Sequence, residues 1–144
     1  MKSFRANLKS EPYLIFNLVF AGILIIVFIY SGIFSPEKDK YPVQCIHEKI
    51  TGEECVSCGM SHSFSLILRG RIQEAVEWNR YSPAVFLFFA IQLLMRFIFS
   101  FLWLRFNNAR RVLIPLDITL SAIMFVIAFL PFMKYIFTNW KTLL

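Results

Sequence analysis

YLIFNLVFAGILIIVFIYSGIF, residues 13–34, contains no charged side chain. At about 1.5 Å of rise per residue, a helix of this length covers the roughly 30 Å hydrocarbon core of a bilayer. A helix also keeps every backbone N–H and C=O bonded where no water is available. Ser10-Glu11-Pro12, just before the run, is a helix start: a hydroxyl to cap, an acid at the positive end, and a proline where no N–H is needed. The stretch is too long for the apolar part of a signal peptide and lacks a small-x-small cleavage site. Asn17 and the Ala21-Gly22 pair are where a second helix would touch, the plain alternative being that they face lipid.

Two further apolar runs follow the same logic, one opening at Pro83 and one near Val112 with Pro115 in its first turn. Pro131 falls late in the third run and is expected to kink or loosen its far end. The expected architecture is an all-α integral membrane protein forming a single membrane domain over residues 1–144. Its spans lie at about 12–34, 82–104 and 112–137. Composition agrees. The 144 residues are 58% hydrophobic, with seventeen phenylalanines and five glycines, and a small soluble fold would leave too much of that apolar area in water.

The net charge of +6 does not imply nucleic acid, because the bases gather at the ends of apolar runs instead of forming a patch with interleaved aromatics. Lys2, Arg5 and Lys9 precede the first span, and Arg105, Arg110 and Arg111 flank the short turn between the second and third. Both segments are nearly free of acids, whereas residues 35–80 carry more acids than bases. Three spans then place the N-terminus and the arginine turn in the cytoplasm, and residues 35–80 and the C-terminus outside it.

Within 35–80, Ser35 to Pro42 is a polar, proline-bracketed exit loop. From Ser57, a candidate cap, the pattern becomes helical, with Met60, Phe64, Ile67 and Leu68 recurring at helical spacing and Arg69-Gly70 as its end. A second short amphipathic piece, 71–78, sets Ile72, Ala75 and Val76 against Gln73, Glu74 and Glu77. Neither piece can span; both are expected to lie in the interface, with Trp78 and Tyr81 at headgroup depth.

Two charges fall inside the spans, Arg96 and Asp117. Each costs about 2.5–3.5 kcal/mol to insert, and a hairpin turning near Asn108 brings them to similar depth. A buried Arg96–Asp117 pair is the preferred expectation, structural in role since one pair makes no proton relay. The alternative leaves Asp117 at the interface and Arg96 on lipid phosphate.

All three cysteines and both histidines lie between Cys45 and His62. Three chemistries compete for them. Cys55-x-x-Cys58 has metal-ligand spacing and His62 follows one helical turn later, so Cys45, Cys55, Cys58 and His62, or His47 in place of Cys45, form a candidate zinc set. Alternatively, Cys55 and Cys58 form a redox couple at a helix N-terminus, with Cys45 as attacking or resolving thiol. The third reading is a structural cross-link from Cys45 to Cys55 or Cys58, as an oxidising compartment favours. Glu53-Glu54 are adjacent and read as solvated loop acids, and no phosphate-binding glycine loop, nucleophilic triad or paired-carboxylate site is present.

Cys55, Cys58 and Gly59, with Ser61 where threonine is usual, resemble the Cys-Pro-x-Cys-Gly-x-Thr-Arg motif of domain-of-unknown-function family 2752, small bacterial membrane proteins. Gly70, Ala75 and Asn79 fit its downstream pattern and Cys45 its upstream cysteine. Val56 stands for the motif proline, His62 for its arginine, and Arg80 for the proline after Asn79. The resemblance covers roughly residues 40 to 100. It implies a multi-pass protein of the bacterial inner membrane and brings no established activity. The His62 departure weakens any anion-binding role that rests on the family's arginine.

The leading functional expectation is a non-catalytic accessory or scaffold subunit of a larger membrane complex, its Cys/His knuckle locked by a disulfide or a metal, with lipid and other membrane proteins, or a second copy, as partners. The alternatives are a membrane thiol–disulfide oxidoreductase using Cys55 and Cys58, and a metal-handling protein.

Overall fold

The structure, a computed structural model, describes residues 11–34, 36, 57–106 and 110–139. Cys45, His47 and Cys55 lie outside the described residues, as do the basic N-terminus and the centre of the arginine turn. Among the described residues all regular structure is helical: α1 (Pro12–Ile33), α2 (Met60–Leu68), α3 (Ile72–Trp78), α4 (Ser82–Arg105) and α5 (Arg110–Asn139).

Three of these helices, α1, α4 and the stretch Arg110–Lys134 of α5, are long and apolar enough to cross a membrane. α4 is the hub and packs against each of the other four. Its buried residues Ser82, Val85, Phe88, Gln92, Met95, Phe99 and Trp103 recur every three or four positions, giving one continuous inward stripe. α1 answers with Leu14, Asn17, Ala21 and Leu24. Ala21 is the contact position, whereas Gly22 has nothing within 4 Å of where a Cβ would sit. Large apolar side chains such as Phe16, Ile26 and Ile127 stay exposed on the outer faces, the surface a bilayer would solvate.

At one end the start of α1, the end of α4 and the start of α5 close around Leu14, Met95, Phe99, Trp103 and Leu113. The Tyr13 and Trp103 rings lie 4.5 Å apart there, and Arg110 stands 4.9 Å over Trp103 while bonding Glu11. α5 begins at Arg110, two residues earlier than expected, so Pro115 lies in its second turn. The helix then continues through Pro131 to Asn139.

At the other end α2 and α3 fold over the ends of α1 and α4, and two details differ from the sequence pattern. α2 buries Ser63, Phe64, Ser65 and Leu66, and leaves Leu68 exposed. The reason is that α2 is enclosed from two sides, and its serines bond neighbouring carbonyls. Ser63 Oγ donates to Ala75 O at 2.8 Å and Ser65 Oγ to Phe34 O at 2.7 Å. On α3 only Ala75 is buried, at 0% exposure, while Ile72 and Val76 face outward; at this closeness only a small side chain fits against α2.

Candidate functional site

Two groupings of chemically capable side chains stand out: one among the spans, the other in the α2–α3 knuckle.

The intramembrane group is made of three polar pairs, each spaced i, i+4 and so on one face of its helix: Tyr13 and Asn17 on α1, Gln92 and Arg96 on α4, Asp117 and Ser121 on α5. The structure brings Arg96 and Asp117 together as a forked ion pair, with Nη1 at 2.9 Å from Oδ2 and Nη2 on Oδ1. Asn17 Oδ1 accepts a second bond from Nη1 at 2.7 Å, and the Tyr13 hydroxyl donates to Asp117 Oδ2 at 2.8 Å. Ser121 Oγ donates to Gln92 Oε1 at 3.3 Å, closing the ring. The Arg96 and Asp117 side chains are 11% and 4% exposed, and Asn17 and Gln92 are 1% and 2%. A charge in lipid must be paired, and here three helices of one chain do it. No partner helix is needed to bury these groups. Sequence reasoning missed Tyr13, Gln92 and Ser121; their i, i+4 spacing to Asn17, Arg96 and Asp117 was the signal available.

Arg96 and Asp117 also line an open cavity of about 460 Å³, otherwise walled largely by apolar residues such as Phe20, Phe88 and Phe125. α1 and α5 both pack along α4 and meet through Tyr13–Asp117 and Glu11–Arg110, and Phe20 of α1 faces α4 and α5 residues across this space.

In the knuckle, Ser57-Cys58-Gly59 form a turn, and Gly59, not Ser57, is the N-cap of α2, with φ of 75°. A Cβ at Gly59 would sit 2.7 Å from the Trp78 carbonyl oxygen, so the position needs glycine for conformation and for space. Asn79 ties the turn down, donating from Nδ2 to the Cys58 carbonyl at 2.9 Å, while its Oδ1 accepts from Tyr81 N–H. α2 ends in a Schellman motif: Arg71 N–H bonds Leu66 O, Gly70 N–H bonds Ile67 O, and Gly70 has φ of 77°.

Arg69, which the sequence presented only as part of a helix end, reaches the last carbonyls of α1. Its Nη2 donates to Gly32 O at 3.0 Å and Phe34 O at 3.2 Å, and its Nη1 to Ser31 O at 3.4 Å. Ser65 takes a further bond from it. A cation thus sits at the negative end of α1, on carbonyls that have no donor within their own helix.

Of the metal and redox candidates, Cys58 and His62 are described. Cys58 is half-buried one residue before the cap of α2. The His62 ring stacks on Trp78 at 4.6 Å between centroids, and its Nδ1 donates to the Pro36 carbonyl at 2.7 Å. Among the described residues no three His, Cys, Asp or Glu side chains gather to hold a metal. Outside the spans, Arg71 bonds Glu74 and holds that carboxyl below its ordinary value.

No curated protein and no solved structure matches the chain. Three spanning helices make it a small multi-pass membrane protein, and its residues 45–93, about a third of the chain, match the family model described as protein of unknown function (DUF2752).

Proposed function

We propose that the protein is a non-catalytic accessory subunit of a larger membrane assembly, offering the α2–α3 knuckle as a rigid docking knob at one membrane face. The observation that carries this reading is the Arg69 clamp. One guanidinium joins α2 to three carbonyls at the end of α1, so the knuckle has a fixed orientation on the bundle. Asn79 and Ser63 hold the rest of it by bonds to backbone carbonyls. The intramembrane polar ring supports a structural role as well, since Arg96 and Asp117 are neutralised by each other and braced by their own chain.

Orientation belongs to the same proposal. Glu11 bonds Arg110, so the N-terminal end of α1 and the arginine corner share one side of the bundle, which the positive-inside rule assigns to the cytoplasm. The knuckle and the end of α5 then face outward. A thiol–disulfide oxidoreductase is the second reading, favoured by the place of Cys58 beside the N-terminus of α2.

One experiment separates the two. A photoreactive side chain at exposed Glu77 is activated in intact membranes, in the parent and in Cys58→Ser. The accessory reading expects the same discrete protein adduct from both. A Cys58→Ser chain trapped through Cys55 in a mixed disulfide with another protein would replace the docking reading with the redox one.

A further inference from the structure

The polar ring satisfies its acceptors better than its donors. Asn17 Nδ2, Gln92 Nε2 and Arg96 Nε are buried and find no acceptor among the described residues. The orientation of the Gln92 amide is set by its neighbours: Oε1 accepts from Arg96 Nη2 at 3.4 Å and from Ser121 Oγ, which leaves Nε2 as the unmatched branch. An unmatched buried donor is costly, and within a bilayer no bulk water is at hand to relieve it. Gln92 and Arg96 both line the cavity between α1 and α5.

The cavity itself limits what could match them. Its volume of about 460 Å³ is in the range of small-molecule sites. The wall is mostly hydrocarbon and aromatic, with the rings of Phe20, Phe88 and Phe125 along it. Ile118 and Val126, which line it on α5, are 62% and 57% exposed, so the cavity opens onto the apolar outer surface that a bilayer would cover. The ion pair in its wall is formally neutral, and a charged ligand would lie in lipid-depth surroundings without a counter-ion.

We infer that the space between α1 and α5 is a binding site for an uncharged lipophile bearing a carbonyl oxygen, which accepts from Gln92 Nε2 while its apolar body lies against Phe88 and Phe125. Two membrane constituents carry that chemistry, a quinone and a neutral acyl-ester lipid. The site is independent of the knuckle and goes beyond the docking role proposed above.

The test uses the full chain, purified and delipidated in detergent, with decylubiquinone and dioleoylglycerol as separate probes and native mass spectrometry as readout. The expected result is a saturable one-to-one adduct with one probe, which also identifies the source. Ala122→Phe, which fills the cavity, should weaken the adduct at least about tenfold, and Gln92→Leu, which removes the donor, roughly fivefold. Ile26→Phe, on the exposed outer face of α1, should leave it unchanged. If Ala122→Phe does not elute as a folded species, Ser121→Leu takes its place. No adduct with either probe, or adducts that the cavity variants leave unaltered, would overturn the inference. So would a photo-crosslinker at Val126 that reacts with polypeptide in membranes, since the occupant would then be a partner helix.

Discussion

Arg96 on α4 and Asp117 on α5 make a two-point ion pair among the membrane-spanning helices, and the third helix completes it through Asn17 and Tyr13. The pair lies about 14 Å along α4 from Arg105 and about 10 Å along α5 from Arg110, at the helical rise of about 1.5 Å per residue. It therefore sits toward the arginine-rich end of the bundle.

Removing one member should hurt more than removing both. Asp117→Leu leaves a buried guanidinium without its counter-charge and is expected to cost about 3–5 kcal/mol. The double variant Arg96→Met with Asp117→Leu should recover most of that loss. Reversible unfolding in mixed micelles measures both; equal losses for the single and double variants would mean that the pair is not the source of the penalty.

Gly59 and Gly70 both occupy the left-handed region, and their surroundings separate them. Gly70→Ala meets open space and should cost only the conformational penalty, about 1 kcal/mol. Gly59→Ala drives a Cβ onto the Trp78 carbonyl as well, so α3 must move. It should cost at least about twice as much and expose amides of the α2–α3 turn to hydrogen exchange.

Arg69→Met keeps the length of the side chain and removes every bond to the end of α1. A loss of about 2–3 kcal/mol is expected, because charge-assisted bonds to several carbonyls are removed at once. Arg69→Lys should recover only part of it, since an ammonium lacks the fork that spans Gly32 O and Phe34 O. Faster exchange confined to the last turn of α1 would localise the effect.

The Arg71–Glu74 pair predicts a small pH and salt response outside the spans. The folded-state pKa of Glu74 is lowered, chiefly by its hydrogen bond to Arg71. Its contribution is therefore present above the unfolded value of about 4.3 and disappears as pH falls through the lower folded value. Both side chains are about half exposed, so salt should weaken the coupling. NMR titration should find the Glu74 carboxyl shifted upward in Arg71→Gln, and an unchanged midpoint would remove Arg71 as the cause.

The spans were legible because solvation acts on composition: an uncharged run such as 13–34 has few places to go but lipid, and Pro12 marks where its helix begins. The polar ring was partly legible. Arg96 and Asp117 announce themselves by their cost, whereas Tyr13, Gln92 and Ser121 are unremarkable in a span until the opposing helix shows what they face. On α2 the apolar spacing covers only part of the buried surface: Phe64 is buried and Leu68 is not, while Ser63 and Ser65 are, since serine counts as polar in a periodicity argument yet can be fully buried once its hydroxyl finds a carbonyl.

By itself, then, the order of residues determined that three helices cross a bilayer and that two charges are carried inside. Those follow from transfer free energies, which depend on local content and not on partners. Packing alone decided that Arg69 closes the end of α1, that Gly59 gives way to Trp78, and that α1 and α5 part to leave a cavity beside Gln92. Each of these joins groups distant along the chain, and hydrogen bonds and steric contacts act only over a few ångströms in space.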